Sequence, residues 1–392
     1  ELKTGNLWKA TIALGMAACV AFANVYFPQP LLPVFSEQFS VNAVTSSLVV
    51  SLVLLTFGCS FFIYSAISDT YGRKNVLIAA MVLATLLTFL IPLANSFELL
   101  LFFRILQAFA LAGVPTVCMT YIGEEFSFKA LTLAMGIYIS ANTVGGMGGR
   151  LISGVVTDWW NWQMAFITMG IISIICIFFV LFLLPAPEQF RKKKFRLRNL
   201  LCEYKNHLTD KALVSAYLVG GLHFLVFIGI YNYITFYLSG DPFFVSSTTL
   251  GFLFLTYIAG TFSSTLAGKA AQKIKQSVCI AIGILIMIAG MALTMPSHLF
   301  MIACGLVFLS FGFFFAHSCS SAWVTKYAKA AKGSASSIYL TSYYLGGSLG
   351  SFYLGFFWHY FHWSGVLFGS LIILIITSFC TLNMYRIERS SM

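Results

Sequence analysis

The sequence predicts an all-α membrane protein of twelve transmembrane helices, arranged as two parallel repeats of a six-helix bundle. Three observations carry that prediction. The 392 residues are 59% hydrophobic and only 9% charged, with 40 Phe, whereas an ordinary soluble domain has about 25% charged residues. Uncharged apolar runs recur near residues 8–34, 44–67, 75–95, 99–121, 130–157, 162–185, 212–239, 246–268, 276–296, 298–324, 333–358 and 363–385, and a helix of about 20 such residues crosses a hydrocarbon layer of roughly 30 Å. Finally, the second half repeats the first at a fixed offset. The first run has too little basic sequence before it and no small-residue cleavage site after it, so a retained helix is expected rather than a signal peptide.

The net charge of +11 is explained by where the basic residues fall. On the twelve-helix reading, twenty-one of the 23 Lys and Arg lie on one side, while Glu37, Glu98, Asp158 and Asp241 occupy the other. That asymmetry marks the cytoplasmic face, puts both termini there, and argues against nucleic acid as a partner. The densest basic stretch, Arg191-Lys-Lys-Lys194-Phe-Arg196-Leu-Arg198, lies in a linker over 188–211 that divides an N-terminal bundle, 1–187, from a C-terminal bundle, 212–392; such a run suits anionic headgroups. Eight of the nine Cys stand singly in apolar runs, with no His at ligand spacing, so packing is expected rather than a metal site or a disulfide framework.

Taken in order, the first run ends in Asn24-Val-Tyr26-Phe-Pro28-Gln29-Pro30-Leu-Leu-Pro33. Prolines free backbone carbonyls, which lipid tolerates only where they face protein or a wet cavity. Asn24, Tyr26 and Gln29 are therefore either cavity-lining groups or simply the end of a helix leaving the bilayer.

Between the second and third runs lies a polar bridge, Ser65 to Lys74. Gly72 permits a tight turn and Arg73-Lys74 marks the inner face. Its Ser65-x-x-x-Asp69-x-x-Gly72-Arg73-Lys74 resembles the signature loop of the major facilitator superfamily, with Ser65 in place of the usual first Gly. The resemblance implies a two-bundle transporter fold over essentially the whole chain, similar to bacterial drug:proton-antiporter-like members. It also implies that Asp69, Gly72 and Arg73, with Glu124 or Glu125, form an inner latch; a solvated surface pair is the other reading.

Arg104 stands within the fourth run, where an Arg facing lipid would cost about 2.5–3.5 kcal/mol. It either turns to the bundle interior or snorkels toward Glu98 or Glu37. Arg104-x-x-Gln107 is similar to the superfamily's helix-four motif, with Ala108 for Gly, which implies a role in solute binding or proton coupling. The fifth run contains Asn142 and Gly145-Gly-Met-Gly-Gly149-Arg150; small residues at this spacing let helices approach closely. It resembles the antiporters' glycine-rich motif but lacks their Gly-Pro. Arg150 either converges with Arg104 on one cavity or pairs with Asp158 through water.

The internal repeat aligns Ile137-Tyr138 with Ile338-Tyr339, Gly145-Gly146 with Gly346-Gly347, Gly149 with Gly350 and Trp162 with Trp363, each pair 201 apart. Parallel repeats of this kind accompany a midplane solute site and rocking of one half against the other. At the same offset Arg104 falls on Gly305 and Arg150 on Ser351, which argues that neither charge is needed merely to pack the fold. The second half adds Tyr231, Asn232, Tyr343 and Tyr344 as candidate solute contacts, against a reading of its tyrosines as interface anchors. His223 and His317, with Arg104, are candidate proton carriers, against a reading of each His as a neutral, hydrogen-bonded interior group.

No phosphate-cradling Gly-x-x-x-x-Gly-Lys-[Ser/Thr] loop, zinc-spaced His/Glu pair or nucleophile elbow is present, so no enzyme activity, catalytic residue, cofactor or metal is expected. The expectation is a proton-coupled secondary active transporter of the bacterial inner membrane, a monomer, moving a small anionic or neutral amphipathic organic solute by alternating access, with efflux favoured. Import of a carboxylate-bearing metabolite or chelator is the alternative, and a non-transporting receptor or scaffold a more remote one.

Overall fold

A computed structural model of the chain describes residues 4–126, 128–188, 197–329 and 332–390, and all regular elements among them are helices. In order they are α1 (Thr4–Tyr26), α2 (Leu32–Gln38), α3 (Ala43–Tyr71), α4 (Arg73–Leu90), α5 (Phe97–Leu111), α6 (Gly113–Glu125), α7 (Phe128–Trp159), α8 (Trp162–Leu183), α9 (Leu197–Thr209), α10 (Lys211–Ser239), α11 (Ser247–Leu253), α12 (Ile258–Ala270), α13 (Gln276–Leu293), α14 (Leu299–Tyr327) and α15 (Lys332–Ser390). Ten helices or continuous helix groups are long and apolar enough to cross a membrane. One of these contains α15, which changes direction at His362 (φ 50°, ψ −139°) and so supplies two spans. The 32 residues of α7 complete the twelve.

Short polar caps start several of these helices. Asn42 accepts from Thr45 N (2.8 Å), Ser96 from Leu99 N (3.2 Å), Asn161 from Met164 N (2.8 Å) and Asp210 from Ala212 N (2.9 Å), each satisfying an amide with no partner inside its own helix. Two expected boundaries move. The polar bridge is mostly helix, since α3 continues to Tyr71 and the reversal is made by Gly72 alone, whose φ of 95° favours glycine. The gap expected at 359–362 closes in the same way to a single-residue elbow at His362. Residues 191–196 of the basic linker lie outside the described residues.

By its contacts the chain forms two compact units, Glu1–Phe195 with Ser246–Phe254, and Arg196–Val245 with Leu255–Met392. The segment Ser246–Phe254 thus packs with the first unit although it follows the linker in sequence. Each unit is built on a glycine seam. In the first, a side chain at Gly145 would overlap the Cys19 carbonyl, and a Cβ at Gly149 would lie 2.8 Å from Ala23 O, so α7 rests directly on the α1 backbone. In the second, Gly346 meets the Gly221 carbonyl and a Cβ at Gly350 would lie 2.6 Å from Leu225 O, so α15 rests on α10 in the same way. The carbonyls they touch are 202 residues apart (221 − 19 and 225 − 23), close to the 201 that separates the glycines. Large apolar side chains such as Leu86, Phe182, Phe262 and Phe379 stay exposed on the outer faces of these units, as expected where the surrounding medium is lipid.

Candidate functional site

The site is organised by the break in α1. Phe27 N still donates to Ala23 O (2.8 Å), but Pro28 has no N–H to offer Asn24 O, and the chain tightens into a 3₁₀ turn over Gln29–Leu31. Arg104 from α5 supplies the missing donors: Nη1 donates to Asn24 O (2.8 Å) and Nη2 to Val25 O (2.9 Å). Nη1 also donates to Gln107 Oε1 (2.5 Å), and Gln107 Nε2 donates on to Thr88 Oγ1 (2.6 Å). Asn24 Nδ2 reaches Ser173 Oγ (3.1 Å) on α8. Arg104 is fully buried and therefore does not snorkel toward Glu98 or Glu37. Its Nε–H has no hydrogen-bond partner among the described residues.

Arg150, four residues beyond Gly146 on α7, approaches the same break and is 1% exposed. Nε and Nη2 both donate to Gln29 Oε1 (3.0 and 2.8 Å), and Nη1 donates to Gly146 O (3.1 Å). The guanidinium lies over the Tyr26 ring, 4.5 Å from its centroid, and over the Phe254 ring at 4.6 Å. Asn24, Val25, Tyr26 and Gln29 therefore receive both guanidiniums. Asp158 takes a different partner from the one considered for it: its carboxylate accepts from Ser247 N (3.2 Å) and Thr248 N (2.7 Å) at the start of α11. Asn142 stands two turns before Arg150 on α7, and its Oδ1 has no hydrogen-bond partner among the described residues.

In the second unit, Tyr231 hydroxyl contacts Thr256 Oγ1 (2.5 Å) and Ser310 Oγ (2.8 Å), and Asn232 Nδ2 donates to Ser351 Oγ (2.9 Å). Tyr343 stacks on Phe224 with centroids 3.8 Å apart, and Tyr344 meets the same ring edge-on at 6.2 Å. His223 Nε2 is 3.0 Å from Thr377 Oγ1 while its buried Nδ1 has no partner among the described residues. His317 Nδ1 is 2.8 Å from the Tyr339 hydroxyl, and its ring is parallel to Phe313 at 5.8 Å.

At the other end of the first unit, Arg73 Nε and Nη2 grip both oxygens of Glu124 (3.0 and 2.7 Å). Nη2 also pairs with Asp69 (2.6 Å), and Nη1 donates to Ser68 Oγ (2.6 Å). Of the two acids considered, Glu124 is the one that pairs with Arg73, while Glu125 is buried and accepts from Glu188 N (3.0 Å). Replacing Arg73 by Ala would leave Asp69 and Glu124 facing each other. Because both acids are partly wet, a loss of roughly 1–3 kcal/mol is expected. Thermal unfolding in detergent reads it, and an unchanged midpoint would mean that the cluster contributes nothing to the fold.

Neither of two spaces in the first unit is lined by these arginines. The void beside Asn24 and Ser173 is about 10 Å³, close to one water. A larger groove of about 350 Å³, along Tyr64, Tyr71 and Asn75, holds none of the predicted site residues.

The family model of the Major Facilitator Superfamily matches residues 14–351. The chain belongs to that superfamily. It is 36% identical over 375 residues to an uncharacterized transporter of Buchnera aphidicola subsp. Schizaphis graminum, covering 96% of this chain and 91% of the relative. It is 35% identical over 373 residues to the inner membrane transport protein YnfM of Escherichia coli K12, covering 95% and 89%. Among solved structures, a bacterial homologue of the human lysosomal transporter Spinster, inward-facing and unoccupied, superposes with a TM-score of 0.79 at 16% identity over 98% of each chain. As a Major Facilitator Superfamily member the chain is a multi-pass membrane transporter, not an enzyme.

Within that superfamily fold, several contact residues were not singled out from sequence. Thr88 and Ser173 are hydroxyls in uncharged runs, a signal they share with Thr85 and Thr168, so sequence alone does not single them out. Phe254 had none, because nothing in a Phe-rich sequence separates a ring on a guanidinium from the thirty-nine other Phe.

Proposed function

We propose that the chain is a proton-coupled secondary active transporter that moves a small anionic or neutral amphipathic organic solute by alternating access, exporting it across a bacterial inner membrane as a monomer. The observation that carries this reading is the gathering of two buried guanidiniums on one broken helix end, held by carbonyl oxygens, amide oxygens and aromatic faces. A guanidinium so placed is an unusually strong attractor for a carboxylate or phosphate, because little water screens it. The free Nε–H of Arg104 supports the same reading.

In this reading the solute contacts are Arg104, Arg150, Asn24, Tyr26, Gln29, Gln107, Asn142, Tyr231, Asn232, Tyr343 and Tyr344. His223 and His317, with Arg104, carry the proton, and the Asp69–Gly72–Arg73–Glu124 cluster, with Glu125 beside it, takes part in gating. Import of a carboxylate-bearing metabolite or chelator is the second reading.

Comparison of metabolites inside and outside cells with and without the protein identifies solute and direction together. In proteoliposomes an imposed pH gradient should then drive that solute; flux indifferent to both pH and sodium gradients would make the protein a uniporter. Arg150→Ala is expected to lower flux about tenfold or more, the worth of a charge-assisted hydrogen bond; unchanged kinetics would remove Arg150 from the binding role.

A further inference from the structure

The cysteines stand far apart in sequence, yet the fold brings Cys279 and Cys319 together. α13 and α14, both in the second unit, meet along a glycine seam of their own. A Cβ at Gly290 would lie 2.6 Å from Gly305 O, and a Cβ at Gly283 would lie 2.7 Å from Gly312 O and 2.8 Å from Ala316 Cβ. Cys279 stands one turn before Gly283, and Cys319 three residues beyond Ala316, so the two fall on the next contact of the same seam. Their thiols are within hydrogen-bonding reach of each other. Both residues are buried, and neither is in a disulfide. Cys118 and Cys176, by contrast, direct their thiols to the Leu14 and Met16 carbonyls of α1 (3.9 and 3.3 Å).

The Lys275 end of this seam is fastened by the end of α15. Glu388, itself buried, accepts from Gln276 N (3.1 Å), Ser277 N (3.2 Å) and Ser277 Oγ (2.5 Å). It thereby caps α13, to which Lys275 supplies no side-chain cap. The Glu388 carboxylate is also close enough to act electrostatically on both thiols, which favours the approach of a cation. Cys279 is about 6 Å of helical rise beyond Lys275, and Gln272, Lys273 and Ile274 just before it are exposed. The pair therefore lies near the end of α13 rather than midway along it.

We propose that Cys279 and Cys319 form a two-thiolate site for a soft divalent metal ion that takes two ligands in line, of which mercury(II) is the type. Thiolate is the protein ligand that soft ions prefer. On binding, two S–H bonds break and two metal–sulfur bonds form; both protons leave to solvent, and nothing is oxidised or reduced. The resulting bridge is neutral and so suits an apolar seam, whereas Cu(I) between the same thiolates would add a negative charge beside Glu388. Zinc(II) takes four ligands, and no group of three or more His, Cys, Asp or Glu that could hold a metal occurs among the described residues. An occupied site would staple α13 to α14.

The test uses the reduced, purified full chain in detergent, loaded with mercury(II) chloride and then washed with excess glutathione, which strips mercury from single cysteines by thiol exchange. Intact mass should show one mercury kept per chain, and digestion should recover a mercury-bridged pair of peptides holding Cys279 and Cys319. Cys279→Ser and Cys319→Ser should each abolish retention, while Cys59→Ser, at an exposed cysteine, should leave it intact. Zinc(II) carried through the same steps should be washed away. The bridged peptides come from the unsubstituted chain, so a variant that fails to fold does not decide the matter. Loss of all mercury from the unsubstituted chain would overturn the proposal, as would retention that survives either substitution; retained zinc would overturn the two-ligand geometry.

Discussion

Arg104→Ala is expected to lower the stability of the folded chain by roughly 2–6 kcal/mol, at about 1–3 for each buried carbonyl left without a donor. Asn24 O and Val25 O both lose their guanidinium N–H, and Gln107 loses its partner as well. Thermal unfolding in detergent reads the loss. A second substitution makes the physical cause checkable: Pro28→Ala returns a backbone N–H to the position from which Asn24 O would normally accept. Pro28→Ala should therefore recover part of the loss when Arg104 is already Ala, and gain far less when Arg104 is present, a coupling measured by the double-mutant cycle. Arg104→Ala with an unchanged unfolding midpoint and abolished flux would assign the guanidinium to the solute alone.

Gly145→Val and Gly346→Val are expected to prevent accumulation of the folded protein. A side chain at either position overlaps a backbone carbonyl of the neighbouring helix, Cys19 in one unit and Gly221 in the other. Backbone cannot rotate aside as a side chain can, so each helix pair must separate along much of its length, at a cost above about 3 kcal/mol. Gly136→Ala on the same α7 is the control, since a Cβ there meets nothing within 4 Å. It should be neutral or stabilising by about 0.5–1 kcal/mol through the lower backbone entropy of Ala. Detergent-extracted yield and monodispersity distinguish the three; a monodisperse Gly145→Val protein with normal yield would mean that α1 and α7 are not in backbone contact.

Much of this fold was legible in the chain because lipid imposes one rule, long uncharged helices, and the sequence obeys it. The seam was legible too, since glycines 201 residues apart mark the same contact twice. The duty of Arg104 was not. Its replacement by Gly305 in the repeat argued that packing could spare it, yet the comparison left out its partner. On the 202-residue offset that relates α1 to α10, Pro28 falls on Ile230, and α10 is continuous through Lys211–Ser239. The second unit has no arginine there because it has no interrupted carbonyls to satisfy. Asp158 shows the same limit: the nearest cation in sequence is Arg150, whereas its partners are backbone amides 89 and 90 residues further on, invisible to any count of charges.

The intact α10 and the interrupted α1 give the two repeats different mechanical characters. An uninterrupted ladder of hydrogen bonds resists bending everywhere along its length, whereas α1 has a weak point at Pro28 braced from outside by a side chain. Bending of the first repeat is therefore expected to concentrate at that brace. A single proline with its attendant arginine is enough to make one repeat more compliant than the other.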